Sequence, residues 1–154
     1  MLRKIVSGGQ TGADRAALDA ALEAGFPAGG YCPRGRLAED GAIAARYPLV
    51  EIDGGYATRT LINVETSDAT LVVYDGTLSG GTAQTVVHAI HAGKPFQLID
   101  LTLVEPDEAL SAVQGFIAAN SVRVLNVAGP RQSSSTAVYA YVHALVSSLL
   151  REPA

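Results

Sequence analysis

Apolar runs alternate with helical periodicities along the whole of this 154-residue chain. Ile5-Val6 lies in a first strand at about 3–7, and the alanine-rich stretch at about 12–24 has the spacing of a helix, ended by Gly25. A short strand is predicted near 27–31, a loop with a turn of helix over 33–46, and a further extended run at 48–52. A helix follows at about 56–67. Leu71-Val72-Val73-Tyr74 reads as a buried strand, and Ser79-Gly80-Gly81-Thr82 opens a helix at about 82–92, stopped by Gly93 and Pro95. Phe96 to Ile99 is the next strand, and Pro106 suits the first turn of a helix reaching about Ala119. Val122 to Val127 is the last strand and Ser135 to Leu150 the last helix. This alternation predicts one α/β domain with a mostly parallel sheet, in which the runs at 5–6, 71–74, 96–99 and 122–127 are neighbours.

Ligands of such sheets bind outside the carboxyl ends of the strands. Three of those ends run into glycine-containing loops: Ser7-Gly8-Gly9-Gln10-Thr11-Gly12-Ala13-Asp14, Asp75-Gly76 through Thr82, and Asn126-Val127-Ala128-Gly129-Pro130-Arg131. A strand passing through glycines into a helix is a phosphate cradle, because the backbone approaches an anion closely and the free N–H groups of the first turn point at it. Gly8, Gly9, Gln10, Thr11 and Gly12 are therefore candidate phosphate ligands, and Ser79, Gly80, Gly81 and Thr82 form a second candidate cradle with Gln84 nearby. An N-cap role for Ser79 or Thr82 accounts for the same residues without a ligand. Asp14 suits either the helix dipole or a ligand. The spacing is neither G-x-G-x-x-G nor a P-loop, and the region where a ribose-binding acid would fall holds Cys32-Pro33-Arg34-Gly35-Arg36, so no NAD is expected.

Composition narrows the class. Hydrophobic residues make up 48% of the chain and charged ones 17%, as suits a buried parallel sheet. A net charge of −4 argues against broad nucleic-acid or anionic-membrane binding, and no apolar run approaches the ~18 residues of a membrane span. A single cysteine, Cys32, excludes an internal disulfide and favours a cytoplasmic setting. It reads as a small hydrophobe, as a reactive thiol or as a ligand for a soft metal.

Arg34 and Arg36 are candidate phosphate ligands by guanidinium geometry, with solvated surface arginines as the alternative, and Arg131 is a third candidate clamp at the last strand's exit. His88, His91 and His143 lack metal-site spacing, so no metal is assigned. No Ser/His/Asp triad follows from spacing. Asp75, at a strand end, is a weak candidate for a catalytic carboxylate.

Together these pieces resemble the molybdenum carrier family. The likeness is carried by Ser7-Gly8-Gly9-Gln10-Thr11-Gly12-Ala13-Asp14-Arg15-Ala16-Ala17-Leu18-Asp19, Gly30-Tyr31-Cys32-Pro33-Arg34-Gly35-Arg36 and Ala38-Glu39-Asp40-Gly41. Arg59-Thr60, Asn63-Val64, Ser67-Asp68, Ser79-Gly80-Gly81-Thr82 and Leu125-Asn126-Val127-Ala128-Gly129-Pro130-Arg131 continue it in order over nearly the whole chain. The resemblance implies a single-domain Rossmann-like three-layer sandwich, a homo-oligomer (dimer or tetramer), and the molybdenum cofactor, a pterin bearing a phosphate (molybdopterin), as ligand. It extends to a wider group of nucleotide-binding proteins that includes phosphoribohydrolases of the lysine-decarboxylase-like type. Those carry P-G-G-x-G-T-x-x-E. Here Ser79-Gly80-Gly81-Thr82-Ala83-Gln84-Thr85 lacks the proline and the glutamate.

The expected function is thus a carrier for a phosphorylated pterin or nucleotide-like small molecule, acting without nucleic acid or membrane. The alternative is a nucleotide N-glycosidase or related hydrolase, which requires a carboxylate such as Asp75, Glu39 or Asp14 beside a bound ribose. A third reading is a structural subunit whose loops a partner occupies.

Overall fold

The computed structural model describes residues 1–151. The elements in chain order are β1 (Lys4–Val6), α1 (Ala13–Glu23), β2 (Ala28–Gly29), β3 (Tyr31–Pro33), β4 (Leu37–Ala38), β5 (Gly41–Ala42), β6 (Val50–Ile52), α2 (Gly55–Glu65), β7 (Ala69–Tyr74), α3 (Gly80–Ala92), β8 (Phe96–Asp100), α4 (Pro106–Ala119), β9 (Val124–Ala128) and α5 (Val138–Arg151). The central sheet has the order β2-β1-β9-β7-β8, and every pairing in it is parallel. The four runs at 5–6, 71–74, 96–99 and 122–127 are neighbours in this sheet, as the alternation of apolar and helical stretches predicts.

Parallel strands bury both faces. On one face Ile5, Leu71, Val73, Ile99, Leu125 and Val127 join the buried faces of α1, α4 and α5 in the main core. The alanines of α1, from Ala13 to Ala21, let that helix lie close to the sheet and to α5. On the other face α2 packs against α3, and α3 against β7.

Three expectations are corrected. The run at 27–31 is split: Ala28–Gly29 pairs with β1, whereas Tyr31–Pro33 pairs with β6 in a separate two-stranded sheet. Gly30 makes the break, at φ +133, a conformation open mainly to glycine. The segment 33–46 contains no helical turn. It forms the short antiparallel β4–β5 hairpin, with Arg36 at φ 53. The Arg36 guanidinium donates to the carbonyls of Ile43, Ala44, Leu49 and Tyr47 at 2.8–3.3 Å, which replaces the hydrogen bonds a helix would have supplied. The last helix starts at Val138 rather than 135, because the Ser135 hydroxyl is drawn to Asp75 and its N–H to the Arg131 carbonyl. No described helix is long and apolar enough to cross a membrane.

Gly30→Ala tests the break in the strand. A Cβ there lies 2.0 Å from the Ser7 carbonyl oxygen, in a φ region alanine avoids. Urea denaturation is expected to show a loss of about 2 kcal/mol or more.

Candidate functional site

A cavity of about 470 Å³ opens at the carboxyl ends of β1, β7 and β9. Gly8, Gln10 and Asp14 line it from the first glycine loop, Ser79 to Thr82 from the second, and Gly129, Pro130 and Arg131 from the third. The third loop is pinned to the first by the Ala13 N–H, which donates to the Pro130 carbonyl at 3.1 Å, and by the Gln132 N–H, which donates to Thr11 Oγ1 at 3.1 Å. Gln84 belongs to the lining as well.

The start of α3 keeps its donors free of side-chain caps. Ser79 is extended (φ −149, ψ 170) and its hydroxyl makes no capping bond; the first turn holds no acidic residue. The N–H groups of Gly80, Gly81 and Thr82 are thus left in the situation of an uncapped helix start, with the positive end of the helix dipole at the cavity. A Cβ added at Gly81 meets nothing within 4 Å.

The opposite wall is a buried ion pair. Arg59 of α2 donates to Asp14 Oδ2 at 2.9 Å, with the two side chains only 12% and 7% exposed. The Gln10 N–H donates to the same oxygen at 3.3 Å. Gly8 makes room for this pair: a Cβ at that position would lie 1.6 Å from Arg59 Nη1. The Nε of Arg59 is buried without an acceptor. Burial pushes the Asp14 carboxyl above the usual carboxylate range, while Arg59, and more weakly Arg15, pull it back.

The remaining candidates lie elsewhere. Gly9 faces Leu49 and Ile43. Thr11 and Gly12 line a second, more open concavity with Arg15, Asp19, Tyr47 and Tyr139. Arg34 is on the surface, paired with Asp53 at 2.5 Å, and Arg36 is engaged by the four carbonyls named above; neither lines the first cavity. Asp75 is also off the lining and accepts from Ser135 Oγ at 2.6 Å. Cys32 is buried, and burial pushes its thiol up, away from the reactive thiolate. Among the described residues no three His, Cys, Asp or Glu side chains gather as a metal site.

The second concavity is a closed network. Asp19 accepts from the hydroxyls of Tyr47 and Tyr139, each at 2.5 Å. Burial first, then Asp19, drive the Tyr139 phenol far above its ordinary range. Arg15 donates to Asp40 and to the Gly9 carbonyl, and Glu39 accepts from Thr11 Oγ1 and the Ser133 N–H. These bonds tie α1, α5, the hairpin and the 130–134 loop together, and they give the concavity a scaffold role.

Sequence reasoning missed Arg59 as a site residue, together with Asn63, which also lines the cavity. The two are one turn apart on a helix that was predicted, so they share a face. A lone arginine on such a helix carries no sign of burial until the glycine opposite it is known.

The all-parallel sheet with helices on both faces defines a Rossmann-like α/β domain. The model of the circularly permutated YpsA SLOG family (cpYpsA) matches residues 5–150, and the chain belongs to this family. It is also similar to a crystal structure described as "putative molybdenum carrier protein" from Syntrophus aciditrophicus SB, at 41% identity and a TM-score of 0.92 over 94% of this chain and 92% of that one. No curated protein matches.

Arg59→Met tests the ion pair. It strands Asp14 as a buried unpaired carboxylate, at an expected cost of about 3–5 kcal/mol near neutral pH. A carboxyl whose folded-state value is raised favours the fold when protonated and loses that contribution as pH rises through the folded-state value. The deficit of the variant should therefore shrink as pH is lowered toward that of Asp14, as followed by thermal melts across pH.

Proposed function

We propose that this chain is a carrier that holds the molybdenum cofactor, or a closely related phosphorylated pterin or nucleotide, in the cavity at the carboxyl edge of the sheet. The observation that carries this reading is the meeting of three glycine-containing loops, an uncapped helix start and two arginines at one cavity. Its volume is that of ordinary small-ligand sites. The similarity to a protein named as a molybdenum carrier points to the same ligand class. The phosphate sits against the N–H groups of Gly80, Gly81 and Thr82, with Arg59 and Arg131 supplying charge. The half-exposed ring of Tyr56, also on the lining, offers a stacking face to the planar heterocycle.

Holding an anion by backbone donors requires no general base. Asp14 is the one carboxylate on the lining among the described residues, and Arg59 holds it; no catalytic role is assigned. We place the carrier in the cytoplasm as a homo-oligomer. The exposed Val87 and Ile90 share a face of α3, and Leu98 is exposed on the edge strand β8, as suits burial against a second copy.

Native mass spectrometry of protein from its own host, with pterin and molybdenum analysis, tests the ligand; recovery without any pterin or nucleotide counts against the reading. Gly81→Asp puts a carboxylate where the phosphate should sit, in open space, and is expected to abolish binding while leaving the melting temperature nearly unchanged. Arg131→Ala should weaken the phosphorylated ligand by roughly tenfold or more and its dephosphorylated form little, since charge-assisted contacts are worth about 1.5–3 kcal/mol before solvent screening. Arg34→Ala should leave both affinities unchanged. Calorimetric titration separates these outcomes. Ile90→Asp should reduce the molecular mass seen by sedimentation if the α3 face is the subunit contact.

A further inference from the structure

The buried ion pair lines the cavity rather than lying beneath it. Asp14, Arg59 and Arg131 are the charged residues on the lining among those described, so the apo cavity sets two arginines against one carboxylate. Asp14 occupies Arg59 through one amine, Nη1, while Arg59 Nε is buried with no acceptor. An anion that enters therefore meets a guanidinium already in use and a carboxylate that repels it. If Asp14 stayed ionised, it and the anion would share one buried cation. Neutralising Asp14 removes the repulsion and leaves two arginines for the two charges of an oxyanion dianion.

We propose that Asp14 and Arg59 form a proton-linked anion clamp: a dianionic oxyanion entering the cavity takes over the Arg59 guanidinium, and Asp14 binds a proton from solvent as it is released. The proposal rests on the anion-site reading given above and adds to it the coupling of ligand uptake to a proton. Asp14 is the positioning residue. It holds Arg59 in the slot left by Gly8 when the cavity is empty, and it prevents an isolated buried guanidinium. Its surroundings suit the exchange. Burial disfavours its ionised form, and Arg59 with Arg15 are the cations that offset this. Arg131 faces the same cavity from the third loop, and Tyr56 and Tyr74 are the phenols on the lining. From α3, His88 approaches cavity-lining Gln84 at 3.4 Å.

Because the anion favours protonated Asp14, binding should strengthen as pH falls, with a slope approaching tenfold per pH unit between the free and bound values of that carboxyl. Sulfate is the probe, since it stays fully ionised between about pH 5 and about pH 8, where the linkage is read. Calorimetric titration of the intact protein, in two buffers of different ionisation heat, counts the protons taken up per sulfate. The expected result is uptake approaching one proton. Asp14→Asn keeps the size and the contact with Arg59, and it should bind sulfate with no proton uptake and no pH slope. His88→Gln should leave the uptake in place, which keeps the clamp testable if the buried Asp14 variant does not fold. Sulfate binding by the wild type without proton uptake would overturn the clamp and leave the anion site standing. Uptake that vanishes in His88→Gln, or survives in Asp14→Asn, would also overturn it. Absence of sulfate binding at any pH would remove the anion site and the clamp together.

Discussion

Burying a guanidinium against a carboxylate fixes how near α2 can come to the first glycine loop. Arg59 reaches Asp14 only because Gly8 has no side chain to obstruct it, and Asp14 is placed by being in the first turn of α1. Such a pair is weak evidence for stability, since the desolvation of two charges offsets most of their attraction. Its consequence is geometric. Once the pair exists, α2 forms one wall of the cavity and the start of α3 forms the other, and α2 cannot shift away from α1 without stranding a charge in the interior.

The polar groups of this protein divide into closed and open sets. Around Asp19 the acceptors of one side chain are met by the phenols of Tyr47 and Tyr139, and Arg36 satisfies four carbonyls in the segment that lacks regular structure. These sets hold elements together and leave little for a ligand to satisfy. At the first cavity the balance is different: helix N–H groups lack caps and Arg59 Nε lacks an acceptor. The first-turn N–H groups of Gly80 and Gly81 are open to solvent, whereas Arg59 Nε is a buried donor left unmet, which is costly. Topology brings these donors together. The last strand, β9, inserts between β1 and β7, which sets residues 129–131 beside the first loop although more than a hundred positions separate them.

Membership of the circularly permutated YpsA SLOG family and the likeness to the Syntrophus aciditrophicus SB protein agree with a fold built for this edge of the sheet. Within that frame, the walls of the cavity carry Tyr56, Arg59 and Asn63 from α2, and Arg131 at the mouth.

The sequence by itself determined the parallel α/β architecture, because apolar runs such as Leu71-Val72-Val73 can be buried on both faces only in such a sheet. It also located the edge on which the glycine loops open, since their position after strands is local information. It did not determine what the arginines do. Arg34, Arg36, Arg59 and Arg131 look alike in a chain read residue by residue, yet one is a surface ion pair, one a scaffold for four carbonyls, one a buried cation and one exposed at the cavity mouth. The break at Gly30 and the hairpin at 37–42 were likewise out of reach, because each depends on what lies across from it: the Ser7 carbonyl in one case, the Arg36 fork in the other. Periodicity encodes which face of an element is buried. The partner a long polar side chain finds there is set only when distant segments close around it.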